Sequence, residues 1–141
     1  MALESIPAYS RFRGGHIGQA YNEAAFRYFL AVDRLRAERS RRPLILALAS
    51  LREAPGRSAE LTPHIAAIVF EGLAASVREV DFVGWFHEDR VAGAVLAQGA
   101  GAADEREAIS NRILATLRTS LPRNRSANVH LRVIRLGQGL R

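Results

Sequence analysis

The chain has 141 residues, of which 48% are hydrophobic, and carries a net charge of +6. This suits one compact domain with a real core and excludes global disorder. It contains no cysteine, and all twenty basic residues are arginine, which excludes disulfides, thiolate metal sites, Walker-type phosphate loops and Schiff-base chemistry.

No run approaches the roughly 20 apolar residues of a membrane helix. The N-terminus lacks a basic stretch followed by an apolar core, so no signal peptide is read and a cytoplasmic location is the default expectation. The all-arginine usage reads first as the mark of a GC-rich genome. The same side chain is also suited to bidentate phosphate recognition, so the charge admits an anionic partner.

In chain order, Met1–Tyr21 reads as an arm or linker, with Arg11, Arg13 and the Gly14–Gly15 pair. Residues 22–141 form the expected domain. Asn22 is a helix N-cap, and Phe26, Phe29, Leu30 and Val32 through Leu35 set an apolar stripe on a helix over Glu23–Arg39. The basic run Arg34–Arg42 reads as a solvated helix end, and Pro43 stops the helix. Leu44–Leu51 is a continuous apolar run of strand length, expected to be central and buried on both faces.

Arg52–Leu61, with Pro55 and Gly56, reads as a loop. Thr62 caps a helix that begins at Pro63 and carries Ile65, Ile68, Val69, Leu73 and Val77 at helical spacing. Two strands follow, Asp81–Phe86 and Val91–Ala97, joined by a charged turn at His87–Arg90. Gln98–Ala103 is a Gly/Ala loop. Asp104 starts a helix with Ile109, Ile113, Leu114, Leu117 and Leu121 on one face. Pro122–Ala127 reads as a polar turn, Asn128–Leu136 as a half-exposed alternating strand, and Gly137–Arg141 as a tail.

The resulting order predicts an α+β fold: a ferredoxin-like βαββαβ core with an antiparallel sheet, preceded by an extra N-terminal helix.

Over Asn22–Leu136 the sequence resembles the GGDEF, or diguanylate cyclase, domain family. The resemblance rests on the aromatic and Arg-rich opening helix Ala25–Arg42 and the Pro-Leu strand entry at Pro43–Leu51. It continues through the Ser-x-Arg-x-x-Asp helix end within Leu73–Asp81 and a signature turn at His87–Val91. It implies the nucleotide-cyclase palm, in which strand-end carboxylates hold metals on a triphosphate and signature glycines let backbone approach the nucleotide.

Against that pattern the signature reads His87, Glu88, Asp89, Arg90, Val91. Both glycines are lost, Asp89 keeps the acidic third position, and Arg90 replaces the following Glu. The metal-binding carboxylate of the first strand falls on Ser50, and Arg52 takes the second acidic position. No guanine-recognising Asn or Asp is found in Arg52–Pro63. Metal-assisted phosphoryl transfer needs positioned carboxylates, so the resemblance implies a domain without catalytic residues, cofactor or metal.

One family feature survives. Arg78 and Asp81 stand as Arg-x-x-Asp at the family distance before the signature, and Arg112 on the later helix is the third candidate. The resemblance implies a cyclic di-GMP site there. Guanidinium groups can grip phosphate or a guanine edge, and Asp can accept from guanine N–H donors. The structural alternative is a helix-capping Arg78 paired with Asp81 on the surface.

The expected partners are cyclic di-GMP and a protein or fused domain, with a homodimer as a further option and control of biofilm, exopolysaccharide or motility as the family setting. A scaffold that binds no nucleotide is the competing reading. No DNA or RNA is expected, because the strands lack stacking aromatics and an RNP-like motif. His16, His64, His87 and His130 show no metal-ligand spacing, and Trp85 reads as core or interface filling.

Overall fold

The structure, a computed structural model, describes residues 20–76, 80–97 and 105–136. Arg78, the Gln98–Ala103 loop, Asp104 and the Gly137–Arg141 tail lie outside them. The elements are α1 (Glu23–Ser40), β1 (Leu44–Ala54), β2 (Arg57–Ser58), α2 (Pro63–Ser76), β3 (Val80–His87), β4 (Val91–Ala97), α3 (Arg106–Ser120), α4 (Arg123–Ser126) and β5 (Val129–Leu136). Every strand pairing is antiparallel. β1 lies between β4 and β5, β3 pairs with β4, and β2 pairs with the end of β1. The run β1-α2-β3-β4-α3-β5 is the expected ferredoxin-like core, and α1 is the extra helix.

β1 is central because its sequence serves two cores. Ile45, Ala47, Ala49 and Leu51 join the cluster formed with α2 and α3, while Leu44, Leu46 and Leu48 join the cluster beneath α1. Successive strand residues point to opposite faces, so a strand covered on both sides needs the unbroken apolar run seen at 44–51. Phe70 of α2 and Trp85 of β3 meet edge-to-face at 5.0 Å, which places Trp85 in the core.

α1 is seated by one ring on two glycines. Gly84 and Gly93 are cross-strand partners. A Cβ at Gly84 would stand 2.8 Å from Phe26 Cδ1 and from the Tyr21 carbonyl oxygen, and one at Gly93 would stand 2.7 Å from Phe26 Cζ. The missing side chains therefore make the recess that Phe26 fills, fully buried. Asn22 caps this helix as expected, its Oδ1 accepting from the Ala25 amide at 2.9 Å.

Four readings of the sequence change. Leu35 was placed on the packed stripe but is 61% exposed; it follows Phe26 by about 2.5 turns and so points away from the sheet. The inward face instead carries Phe26, Leu30 and Ala37. The 52–61 segment is not all loop, because β1 continues to Ala54 and turns at Pro55–Gly56, with Gly56 at φ 76°, into β2. The polar turn after Pro122 contains the short helix α4. His87 ends β3 and does not open the turn.

At the end of the predicted arm, Ala20 is fully buried and Tyr21 bridges β3 in parallel at Gly84. Its amide donates to Val83 O at 3.0 Å, and the Trp85 amide donates to Tyr21 O at 2.9 Å.

Candidate cationic cleft beside the β3–β4 turn

The β3–β4 turn is held from two sides. On one side, Glu23 and Glu88 exchange bonds: the Glu88 amide donates to Glu23 Oε1 at 2.8 Å, and the Glu23 amide donates to Glu88 Oε1 at 3.1 Å. Glu88 thereby satisfies an amide in the first turn of α1, where a negative charge is also favoured.

From the next turn of α1, Arg27 reaches the end of β3. Its Nε and Nη2 donate to the Phe86 carbonyl at 2.9 and 2.6 Å, and its guanidinium lies 4.2 Å over the Phe86 ring. On the other side, Arg90 Nη1 donates to Ser58 O at 2.7 Å, and the Leu61 amide donates to Asp89 O at 2.7 Å. Asp89 takes the left-handed conformation, φ 64°, that the tight turn requires.

Beside this turn, on the sheet face that also carries α1, lies a cleft of about 240 Å³. Its floor is Leu48 and Ser50 of β1, and its rim carries Arg52, Arg57, His87, His130 and Arg132. The alternation of β1 explains the placement, since residues 48, 50 and 52 follow the even-numbered face. Ser50, 8% exposed, is the one buried polar residue among the described residues.

No residue lining the cleft is a carboxylate. Among the described residues no group of three His, Asp or Glu side chains is placed to hold a metal. Arg52 Nη2 stands 3.1 Å from both ring nitrogens of His130. Loss of solvent, then the charges of Arg52 and Arg132, hold the His130 pKa below its ordinary 6.5.

Glu88, Asp89 and Arg90, expected from the sequence on an exposed turn, are exposed there. Of the three proposed ligand residues, Arg78 lies outside the described residues. Asp81 is exposed at the start of β3, and Arg112 is exposed on α3. Among the described residues Asp81 and Arg112 form no hydrogen bond or ion pair with each other. The nearest electrostatic influence on Asp81 is Asp33, on the inward face of α1. Partial loss of solvent, then Asp33, raise the Asp81 pKa above its ordinary 3.8.

This has a measurable sign. A carboxyl group with a raised folded-state pKa favours the fold when protonated, and that contribution is lost as pH rises through the raised value. Asp81→Asn is expected to melt above the unsubstituted protein at pH 7, with the gap closing at pH 3.8 and below. Equal melting temperatures at pH 7 would show that Asp33 and Asp81 do not oppose each other.

The cleft was not legible in the sequence, because its cations come from β1, β2, β5 and the end of β3. A signal was present nonetheless: Arg52 and Arg132 fall on the same strand faces as Ser50 and His130 once the β1–β5 pairing is known.

Similarity to solved structures follows this architecture. The chain matches the GGDEF domain of FimX from Pseudomonas aeruginosa with a TM-score of 0.61 at 19% identity, over 92% of this chain and 83% of that one. It matches a DGC protein from Thermotoga maritima with a TM-score of 0.59 at 13% identity, over 82% and 79% of the two chains. The chain has a GGDEF-like fold. No protein-family model matches the sequence, and no curated protein matches it. Within this GGDEF-like fold, the β3–β4 turn carries Glu88, Asp89 and Arg90. Among the described residues no helix is long and apolar enough to cross a membrane.

Proposed function

We propose that this is a catalytically inactive GGDEF-like regulatory domain, which senses cyclic di-GMP through Arg78, Asp81 and Arg112 and signals to a protein partner or fused domain. The observation that carries inactivity is the inverted charge of the cleft beside the turn. Cations line it where metal-assisted transfer to a triphosphate needs carboxylates. Glu88, an acidic residue of the turn, is bound to the start of α1. The receptor reading rests on the Arg78-x-x-Asp81 spacing before the turn and on the suitability of guanidinium groups for a dianionic, guanine-bearing ligand.

Two assays test the two halves. Incubation with GTP and Mg²⁺ is expected to yield no cyclic di-GMP, and turnover would overturn inactivity. Calorimetry with cyclic di-GMP is expected to show binding that Arg78→Ala abolishes. Absence of heat would remove the receptor half.

A second reading, a protein-interaction or dimerisation scaffold without nucleotide, draws on the placement of Asp81. The proximity of Asp33 puts two acidic groups where a dianion would have to approach.

A further inference from the structure

α1 is covered on one side only. Phe26, Leu30 and Ala37 turn to the sheet. The opposite side carries Ala24, Tyr28, Ala31 and Leu35, all exposed. Their spacing of four, three and four residues sets them in one line along the helix, the repeat by which two helices pack side by side. Tyr28 and Leu35, 65% and 61% exposed, are the exposed large hydrophobics among the described residues, so the unburied apolar bulk lies on this one stripe. They stand about 10 Å apart along the axis, close to the width of a helix. Ala31 between them leaves a notch for a side chain of a neighbouring helix.

The rims of the stripe show what kind of helix fits. Arg34 flanks it on one side and Arg39 on the other, and neither forms an ion pair among the described residues. From Arg34 to Arg42 the exposed charges are Arg34, Arg36, Arg39, Arg41 and Arg42 against the single carboxylate Glu38. A second copy of this face is a poor match. Pairing α1 with α1 sets Arg34 against Arg39 in a parallel arrangement and against Arg27 in an antiparallel one, and like charges at flanking positions disfavour association. A lipid surface is also a poor match. Lying in a headgroup layer takes a broad apolar face of large residues, whereas the broad face of α1 holds the sheet and its outer stripe has two large side chains.

We propose that the outer face of α1 docks an acidic amphipathic helix of a partner protein. Apolar residues of that helix meet Tyr28, Ala31 and Leu35, and its carboxylates meet Arg34 and Arg39. This rests on the protein-partner half of the function proposed above and gives that partner a chemistry. It uses neither the cationic cleft nor cyclic di-GMP.

The test is fluorescence anisotropy with a labelled three-heptad peptide that carries leucine at the seam positions and glutamate on both flanks. A peptide with the same seam and arginine flanks is the control, and NMR shift mapping locates the contact. Tyr28→Ser/Leu35→Ser and Arg34→Gln/Arg39→Gln are the variants. All four side chains are exposed, and circular dichroism checks that both variants are folded. The acidic peptide is expected to bind with shifts centred on α1, and the basic peptide is not. Affinity should fall at least about tenfold without the apolar pair and about threefold without the arginines, and it should weaken with salt. Absence of binding, equal binding of the two peptides, shifts centred on another surface, or affinity unmoved by either variant would each overturn the proposal. Self-association, or binding to phosphatidylglycerol vesicles, that Tyr28→Ser/Leu35→Ser abolishes would overturn it in favour of a second copy or a lipid surface. No arm contains nucleotide, so failure here leaves inactivity and cyclic di-GMP binding to their own assays.

Discussion

Replacing Phe26 with alanine is expected to lower the unfolding free energy by about 3–5 kcal/mol, the range for removing a fully buried aromatic ring. Phe26 is the buried anchor of α1 on the sheet, and it lies in the recess left by Gly84 and Gly93. Ala37 is the other buried residue of α1, so little remains to hold the helix once the ring is gone. Denaturant titration followed by fluorescence checks this, with Trp85, the chain's one tryptophan, as reporter.

A double-mutant cycle sharpens the test. Gly93→Ala should cost about 1–3 kcal/mol in the intact protein through overpacking, because the new methyl meets the Phe26 ring. In the Phe26→Ala background that ring is absent and most of the cost should vanish, a coupling well above the ~0.5 kcal/mol scatter of independent sites. Gly84→Ala should stay costly in both backgrounds, since its methyl also meets the Tyr21 carbonyl. Equal costs for Gly93→Ala in the two backgrounds would remove Phe26 as the anchor.

Arg27→Met is the second large effect, expected at about 2–4 kcal/mol. The substitution keeps an unbranched apolar stem of similar reach but removes two donations to the Phe86 carbonyl and the stacking on the Phe86 ring. A hydrogen bond from a charged donor contributes about 1.5–3 kcal/mol, and the cation–π contact about 0.5–1 kcal/mol. Arg27→Lys should recover little, because an ammonium group cannot present two fixed N–H bonds to one carbonyl. Hydrogen exchange locates the effect: the amides of Glu88 and Arg90, held in the turn by Glu23 Oε1 and His87 O, should exchange faster. A loss below 0.5 kcal/mol, or unchanged exchange at those amides, would show that α1 does not hold the turn.

The elements were legible where the pattern was local. The Asn22 cap, the apolar run of β1 and the strand over Val129–Leu136 are each written in consecutive residues, and each forms where expected, although β5 is half-buried at every residue but Arg132 and does not alternate. The strand order followed from the alternation of helices and strands. What escaped was long-range. Nothing near Gly84 or Gly93 announces that an aromatic ring 58 or more residues away fills the space between them. The outward turn of Leu35 depends on Phe26 fixing the rotation of α1. The β1–β2 hairpin escaped because Pro55 and Gly56 mark a turn without showing that the short segment beyond it pairs.

The same division holds for function. The charged turn at 87–91 could be read from five consecutive residues, while the cationic cleft needed the β1–β5 register that sets His130 opposite Ser50 and Arg132 opposite Leu48.

The bridge at Tyr21 also bears on self-association. A β-sheet invites another chain wherever an outer strand leaves its amides and carbonyls unclaimed. Tyr21 claims the Val83 carbonyl and the Trp85 amide, midway along the outer side of β3. Filament growth or strand exchange by that route would first have to peel the segment away. At the opposite margin β5 is guarded by charge, with Arg132 and Arg135 along its length. A polypeptide begun after Tyr21 would bare the β3 margin, so the segment leading into α1 acts as a gatekeeper against aggregation.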